Sequence, residues 1–268
     1  MKNVIAKSVL EIEHNYGPQV VLLNNTYALT LLDQLSSKHC EKQNLTAYMR
    51  ELYRILLSEA LNLSIPKVSS QTETRMSELH PNNSTLDHSI FNNDTKLVTV
   101  NIARAGSVPS QLCYDQMNLL FNPDNIRQDH FFVNRKVNEN NEVIGVDYSG
   151  SKIGGPTKDR IILIPDPMGA TGSTIDHTIN FYESLNQGDA KQFIALHLII
   201  TPEAILKLRQ QHPKLLIVAL RLDRGLSSAD VLKTPLGTDI EKEKGLNQRH
   251  YIVPGAGGIG ELMNNAEV

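Results

Sequence analysis

Short apolar runs alternate along this chain with segments in which apolar residues recur every three or four positions. The runs predict strands at 97–102, 131–133, 161–164, 193–200 and 215–222. Most of these runs show little apolar–polar alternation, which is typical of strands buried on both faces of a parallel sheet. The segments between them predict helices at 45–60, 108–121, 173–185 and 202–210. This order predicts an α/β fold with a doubly wound parallel sheet flanked by helices.

Three stretches interrupt the alternation. Residues 1–41 carry only two apolar patches, and we interpret them as an N-terminal extension. Residues 64–95 are rich in Ser, Thr, Asn and Asp, which predicts a loop with at most short strands. Residues 134–155 contain turn-forming residues at 138–141, and this stretch predicts a β-hairpin arm. Because no stretch has the composition of a linker, residues 1–268 are predicted to form a single domain.

The net charge and the cysteine content indicate which kinds of ligand and which cellular compartment to expect. A net charge of −3 argues against a nucleic-acid or anionic-membrane partner for the chain as a whole. Cys40 and Cys113 have no Cys or His at metal-ligand spacing, so neither a zinc site nor a disulfide framework is indicated. The first residues lack a signal-peptide core, and no apolar run approaches membrane-spanning length. We therefore expect a cytoplasmic protein that binds a small molecule and no membrane.

The strongest chemical signal lies in residues 160–174, where an apolar run ends in an acid and then in a turn of small residues. Asp166 follows the predicted strand at its carboxyl end, the edge of an open α/β sheet at which ligands bind. The turn supplies small residues that allow close approach of an anion, together with hydroxyl donors: Gly169, Ala170, Thr171, Gly172, Ser173 and Thr174. The helical period starts at Ser173, and the N–H groups of a helix N-terminus favour a phosphate. The alternative is a tight strand-to-helix connection without a ligand.

Arg104 follows a second predicted strand at its carboxyl end. A guanidinium group in that position can bind phosphate oxygens with two parallel hydrogen bonds. The alternative is a surface arginine that pairs with a nearby acid. We favour the phosphate contact.

Three motifs resemble the uracil phosphoribosyltransferase family. The stretch Asp166-Pro167-Met168-Gly169-Ala170-Thr171-Gly172-Ser173-Thr174 resembles its phosphoribosyl pyrophosphate loop, with Asp-Pro-Met and Ala-Thr-Gly in the same relative places. Arg104-Ala105-Gly106 is similar to the family's Arg-Ala-Gly segment, and Tyr251-Ile252-Val253-Pro254-Gly255 is similar to its uracil-binding segment. The resemblance extends from about residue 45 to the C-terminus. It implies a type I phosphoribosyltransferase fold with a β-hairpin arm and a small hood.

The resemblance also implies an activity, which is transfer of the phosphoribosyl group from 5-phosphoribosyl 1-pyrophosphate to uracil, giving UMP and pyrophosphate in pyrimidine salvage. Mg²⁺ is the implied cofactor, GTP binding is implied, and the protein is expected to be a homodimer or a higher homo-oligomer. Asp166 and Arg104 are the implied catalytic residues. Contacts to phosphoribosyl pyrophosphate are expected from Arg104, Arg135, Asp166, Pro167, Met168, Gly169, Ala170, Thr171, Gly172, Ser173 and Thr174. Contacts to uracil are expected from Tyr251, Ile252, Gly257, Gly258 and Ile259.

Arg135 and Tyr148 resemble the arginine and tyrosine that flank the hairpin arm in the family. In the family, that arginine contacts the pyrophosphate. An ordinary solvated side chain is an equally weighted interpretation of Arg135, because the sequence between the two residues differs from the family's.

The chain departs from the family pattern after the uracil-binding segment. The family has Gly-Asp-x-Gly-Asp where this sequence has Gly257-Gly258-Ile259-Gly260-Glu261. The acid that lies between base and ribose in the family is thus absent at position 258, and we expect low transferase activity. The alternative function is a catalytically weak or silent relative that binds nucleotide as a sensor or regulator. The choice depends on whether Glu261, or an acid from 227–248, can replace the missing group.

A second departure is an insertion at residues 227–248, which is longer than the family's usual connection. It follows Asp223-Arg224-Gly225-Leu226, which resembles the family's Asp-Gln-Gly-Leu. The charges at 239–244 predict a solvent-exposed excursion. The sequence lacks the motifs of three other enzyme classes: the glycine fingerprint of dinucleotide-binding enzymes, the Gly-Lys-Ser/Thr loop of nucleoside triphosphatases and the nucleophile elbow of acyl-transfer enzymes.

Overall fold

The structure is a computed structural model that describes residues 11–137 and 143–266, with side chains described outside 133–149. The strands in these ranges are β1 (Val20–Leu22), β2 (Lys67–Glu73), β3 (Thr85–Phe91), β4 (Leu97–Ala103), β5 (Ile126–Val137), β6 (Val143–Lys152), β7 (Ile161–Pro165), β8 (Met168–Gly169), β9 (Gln192–Ile200) and β10 (Leu216–Leu222). The α-helices are α1 (Thr26–Ser36), α2 (Lys42–Ser64), α3 (Ser107–Leu120), α4 (Ser173–Ser184), α5 (Pro202–Gln211), α6 (Ala229–Leu232) and α7 (Ile259–Asn264).

The main sheet has eight strands, in the order β1-β10-β9-β7-β4-β5-β6, with β8 paired to β9 off this path. Its neighbouring strands are parallel except for the antiparallel pair β5 and β6. Parallel neighbours need crossover connections, and the helices between consecutive strands supply them. The predicted α/β fold with a doubly wound, mostly parallel sheet is confirmed.

Both faces of the sheet are covered, which explains the apolar character of its strands. In β7, Leu163 packs into the core shared with α1, α2 and α3, whereas Ile162 and Ile164 pack into the core shared with α4 and α5. All five residues of β7 are buried. Each side chain of this size stabilises the fold by roughly 1.5–3 kcal/mol through burial. The two layers therefore hold the carboxyl ends of β4, β7 and β9 in fixed positions along one edge.

The N-terminal stretch contributes to this sheet. β1 forms one edge and pairs in parallel with β10, in the register of Val20 with Ile217. α1 follows directly, and the Asn25 side chain caps it by accepting the Ala28 N–H at 3.0 Å. The described part of the stretch is thus packed into the main domain.

Residues 64–95 contain more regular structure than the sequence indicates. β2 and β3 are strands of seven residues each and form a separate antiparallel pair. The prediction of a loop with at most short strands was wrong here. Nearly all side chains of both strands are exposed, so neither face carries the apolar alternation that reveals a half-buried strand.

The hairpin arm consists of β5 and β6, which pair antiparallel from His130 with Lys152 to Val137 with Val143. The small hood, residues 223–266, contains the short helices α6 and α7. No helix in the described ranges combines the length and the apolarity needed to cross a membrane.

The predicted solvent exposure of residues 239–244 is wrong for Glu243. Its side chain is fully buried and forms an ion pair with Arg224, with Nη1 to Oε1 at 2.5 Å. The Tyr16 hydroxyl donates to the same carboxylate, and so does the Gly237 N–H at 3.0 Å. Because a buried charge must be paired and hydrogen-bonded, this cluster fastens the insertion to the N-terminal stretch.

Candidate functional site

Asp166 lies directly after β7, at the carboxyl edge of the sheet. Its N–H donates to the Leu196 carbonyl of β9 at 3.0 Å, which continues the parallel pairing beyond the strand. Its half-buried side chain accepts the Met168 N–H through Oδ1 at 3.3 Å. The carboxylate is therefore fixed at the strand end and partly accessible from the edge of the sheet.

His197 of β9 contacts the backbone of this turn, and the sequence pattern did not single it out. Its Nδ1 lies 2.6 Å from the Asp166 carbonyl oxygen, so this nitrogen carries the proton and donates it. Burial lowers the pKa of His197, and within the described residues its Nε2 has no hydrogen-bond partner. A Cβ at Gly169 would lie 2.9 Å from Nδ1, so the turn passes too close for any larger residue. The available signal was a single histidine within the apolar run of β9.

The turn after Asp166 leads into the N-terminus of α4. Gly172 is the N-cap residue with φ +73°, and it provides no side-chain cap. Thr171 Oγ1 accepts the Ser173 N–H at 3.3 Å and donates to Ser173 Oγ at 3.1 Å. The following N–H groups have no acceptor within the helix, as in the first turn of any α-helix. Together with the helix dipole, they make the turn suited to an anion.

The Arg104 turn lies beside Asp166. β4 ends at Ala103, and a Cβ at Gly106 would lie 3.0 Å from the Pro165 carbonyl oxygen. The Cβ would also lie 2.8 Å from the Ile102 carbonyl oxygen, so glycine is strongly favoured at this point. The Arg104 side chain is half-exposed, and its Nη2 lies 3.9 Å from Glu261 Oε1. Arg104 therefore faces the same edge as Asp166, next to an acid at the limit of ion-pair distance.

Residues 251–260, which include the segment expected to bind the base, lie against this edge of the sheet. Arg221 and Asp223, which form an ion pair at 2.7 Å, hold the Gly255 peptide groups. Asp223 Oδ2 accepts the Gly255 N–H at 2.7 Å, and Arg221 Nη2 donates to the Gly255 carbonyl at 3.0 Å. A Cβ at Gly260 would lie 3.1 Å from Ala105 Cβ. The segment thus packs directly on the Arg104 turn.

Gly258 occupies the position at which the family's acid is absent, and the structure shows what fills that space. A Cβ at Gly258 would lie 2.6 Å from Glu261 Oε2. This is close to the separation of Cβ and a carboxylate oxygen within one aspartate, roughly 2.4 Å from standard bond lengths. Gly258 has φ −81°, so its backbone is open to L-residues. The Glu261 carboxylate therefore reaches the region that an aspartate at 258 would enter.

Among the predicted site residues, the structure brings together Asp166, the 167–174 turn, Arg104 and the 251–260 segment, with Ile252 buried and Tyr251 half-buried. The side chains of Arg135 and Tyr148 lie outside the described residues. Their backbones belong to β5 and β6. The sequence pattern did not predict that Arg221 holds this edge.

A sequence profile of the family described as uracil phosphoribosyltransferase matches residues 22–240 of this chain. The chain belongs to the uracil phosphoribosyltransferase family. The family assignment is thereby confirmed, and the match starts earlier in the chain than the motifs indicated. It ends at residue 240, so it includes the motifs at 104–106 and 166–174 but not the one at 251–255, which stays a prediction.

Similarity to individual members of the family is low. The chain is 28% identical over 212 residues to a uracil phosphoribosyltransferase of Thermosipho melanesiensis, with 79% of this chain and 85% of that protein covered. It is 30% identical over 118 residues to that of Thermococcus sibiricus, and this match spans 44% of the chain and only 41% of the relative. The solved structure of the AQ2163 protein from Aquifex aeolicus has the same fold, with a TM-score of 0.68 at 20% identity, over 93% of this chain and 99% of that one.

Proposed function

We propose that this protein transfers the phosphoribosyl group of phosphoribosyl pyrophosphate to uracil, giving UMP and pyrophosphate in the cytoplasm. The observation that carries the proposal is the meeting of three motif segments at one edge of the sheet. Gly106 lies so close to Pro165, and Gly260 so close to Ala105, that an added Cβ would lie 3.0 Å and 3.1 Å from the respective neighbour. The segments that we assign to phosphate, pyrophosphate and base thus adjoin one another, which suits a substrate that carries all three groups.

The 5-phosphate would bind in the turn 169–174, where it meets backbone N–H groups and the hydroxyls of Thr171, Ser173 and Thr174. Asp166 would accept hydrogen bonds from the ribose hydroxyls. Arg104 and Arg135 would bind the pyrophosphate group with charge-assisted hydrogen bonds. Uracil would be bound by backbone groups of Ile252 and Gly257–Ile259, with Tyr251 beside it.

In this reaction the bond from C1 of the ribose to the pyrophosphate oxygen breaks, and a bond from C1 to a uracil nitrogen forms. That nitrogen loses its proton, which passes to the departing pyrophosphate or to solvent. Positive charge develops on the ribose while negative charge accumulates on the pyrophosphate. Positioned charges and dipoles stabilise that separation, so no covalent nucleophile is required. Asp166 on the ribose side and Arg104 on the pyrophosphate side match the two signs.

Mg²⁺ fits these residues as an ion held mainly by the substrate. The described residues contain no group of three or more His, Cys, Asp or Glu side chains that could hold a metal ion by themselves. Mg²⁺ usually binds through one or two carboxylates together with substrate phosphates and water. Asp166 and Glu261 are two carboxylates at this edge that could take part. When bound, the ion would neutralise negative charge on the pyrophosphate.

Glu261 is proposed to supply the acid that position 258 lacks. Its carboxylate fills the space above Gly258, and it is next to Arg104. It is half-buried and comes from α7, immediately after the base-binding segment. This observation favours an active enzyme over the silent nucleotide-binding relative, because the acid is contributed from a different position.

We also propose a homodimer or a higher homo-oligomer. The isolated pair β2 and β3 exposes Val68, Leu86 and Ile90, each to more than two fifths. A two-stranded hairpin is marginally stable in water without further cover. Light scattering coupled to size-exclusion chromatography tests this proposal, and a monomer at all concentrations would contradict it.

The activity is tested by incubating the protein with Mg²⁺, labelled phosphoribosyl pyrophosphate and each nucleobase in turn. We expect the label to appear in UMP with uracil and in no nucleotide with adenine, guanine or hypoxanthine. Transfer to another base would refute uracil as substrate. Binding of nucleotide without transfer to any base would establish the silent relative instead.

A further inference from the structure

We propose that Lys207, a residue of α5, is an additional ligand for the 5-phosphate and favours phosphorylated over unphosphorylated ribose. This inference rests on the proposed function, because it adds one residue to the phosphate turn. Lys207 belongs to α5, whereas the turn motif precedes α4.

Two contacts place the Lys207 ammonium group at the turn. Its Nζ lies 3.0 Å from Ser173 Oγ and 3.1 Å from Asp176 Oδ2. An ammonium group carries three N–H donors, and these contacts account for two of them. The side chain is 35% exposed, and we assign the remaining donor to a ligand at the turn.

The position of Lys207 relative to the turn is fixed by packing. A Cβ at Gly172 would lie 3.0 Å from Leu208 Cγ and 3.2 Å from the Ala204 carbonyl oxygen, so the turn is in direct contact with α5. The Thr201 hydroxyl, at the start of the same helix, donates to the Ala170 carbonyl at 2.6 Å. Lys207 is therefore part of the rigid surroundings of the turn and does not approach it from a loop.

The Lys207 contact also directs the Ser173 hydroxyl. Ser173 Oγ accepts hydrogen bonds from Lys207 Nζ and from Thr171 Oγ1. Its two acceptor positions are then occupied, and its own hydrogen is available as a donor. Lys207 thus prepares a hydroxyl donor for an anion in addition to offering its own charge.

Asp176 offsets charge on Lys207, but it contacts the ammonium group through one oxygen only and so engages one of its N–H donors. Its second oxygen, Oδ1, lies 2.9 Å from His212 Nε2 and 2.9 Å from Asn180 Nδ2. The Oδ1 atom of the carboxylate is thus hydrogen-bonded to His212 and Asn180, and the Oδ2 atom contacts Lys207. A phosphomonoester dianion is the ligand class that this arrangement favours, because it brings two negative charges to a helix N-terminus with one adjacent ammonium group.

Calorimetric titration of the full chain with ribose 5-phosphate and with ribose tests the proposal. We expect Lys207→Gln to weaken ribose 5-phosphate binding about tenfold, to leave ribose binding unchanged and to reduce the salt dependence of the affinity. Lys214→Gln, at an exposed lysine just after α5, is the matched control and should bind like the parent. Equal binding of ribose 5-phosphate by Lys207→Gln and the parent would overturn the proposal.

Asp176→Asn separates phosphate binding from a purely structural ion pair between α4 and α5. If Lys207 binds phosphate, this variant keeps the ammonium group and binds ribose 5-phosphate at least as tightly as the parent. If it weakens binding as much as Lys207→Gln does, the ion pair is structural and the proposal is overturned. A parent that binds no ribose 5-phosphate would refute the proposed function itself, whereas a parent that binds it equally well with Lys207→Gln refutes only this inference.

Discussion

Replacing Gly172 with alanine tests the phosphate turn most sharply, because the structure defines what the methyl group would encounter. Gly172 has φ +73°, a left-handed conformation that costs an L-residue about 1–2 kcal/mol. The new Cβ would also lie 3.0 Å from Leu208 Cγ and 3.2 Å from the Ala204 carbonyl oxygen. If the turn relaxes in the free protein, ligand binding must restore the strained conformation. Affinity for ribose 5-phosphate should then fall roughly 5- to 30-fold, the equivalent of that strain.

The assay is calorimetric titration with ribose 5-phosphate, accompanied by urea unfolding of each variant. Gly188→Ala is the matched control, because Gly188 also has a left-handed φ of +90° and a Cβ there would lie 2.8 Å from Lys158 Cβ. Gly188 lies after α4 and away from the turn, so this variant should lose stability and keep its affinity. An affinity of Gly172→Ala equal to that of the parent, with stability lowered as in Gly188→Ala, would refute the assignment of the turn as a phosphate site.

Three further predictions concern neighbouring parts of the chain. Glu261→Gln should lower kcat/KM about a hundredfold. The double variant Gly258→Asp/Glu261→Gln should recover at least part of that loss. An unchanged kcat/KM in the single variant would exclude Glu261 as the acid. Glu243→Gln should lower the free energy of unfolding by roughly 3 kcal/mol, because it leaves Arg224 without its buried partner, whereas the exposed Glu241→Gln should change it by less than about 0.5 kcal/mol. Burial lowers the pKa of His197 below 6.5, so as the pH falls through that value the unfolded chain takes up a proton before the folded protein does, and the free energy of unfolding decreases. In urea unfolding, His197→Asn should show a shallower decrease of that free energy between about pH 7.5 and 5.5. The same slope in the variant and the parent would contradict a neutral His197.

The sequence predicted which residues lie at this edge of the sheet where a short motif and a strand end coincide. Asp166 and Gly172 were placed correctly because an apolar run fixes the strand, and the next residues must then lie at the edge of the sheet. Contacts between distant segments could not be predicted in this way. Lys207 lies in no sequence motif that would mark it as a contact of this edge, and the sequence around Glu261 does not show where its carboxylate lies. The packing of α5 brings Lys207 to the turn, and α7 brings Glu261 to Gly258.

Two errors have a shared physical origin. The pair β2 and β3 was missed because its side chains face solvent on both sides, so no apolar period marks the strands. Glu243 was expected in solvent because it lies among charged residues, yet Arg224 and Tyr16 compensate its burial. The pattern of apolar and polar residues within a segment indicates only the average environment of that segment. Which strands and side chains pair across the chain depends on the tertiary structure.

The central claim is that this edge of the sheet transfers a phosphoribosyl group to uracil. Phosphorus NMR of the parent protein with Mg²⁺, phosphoribosyl pyrophosphate and uracil tests it directly, because substrate and both products carry phosphorus. We predict that UMP and pyrophosphate signals grow in equal amounts, and that Asp166→Asn, with an unchanged melting temperature, forms them far more slowly. Pyrophosphate without UMP, no reaction with uracil, or equal rates in the parent and Asp166→Asn would contradict the account.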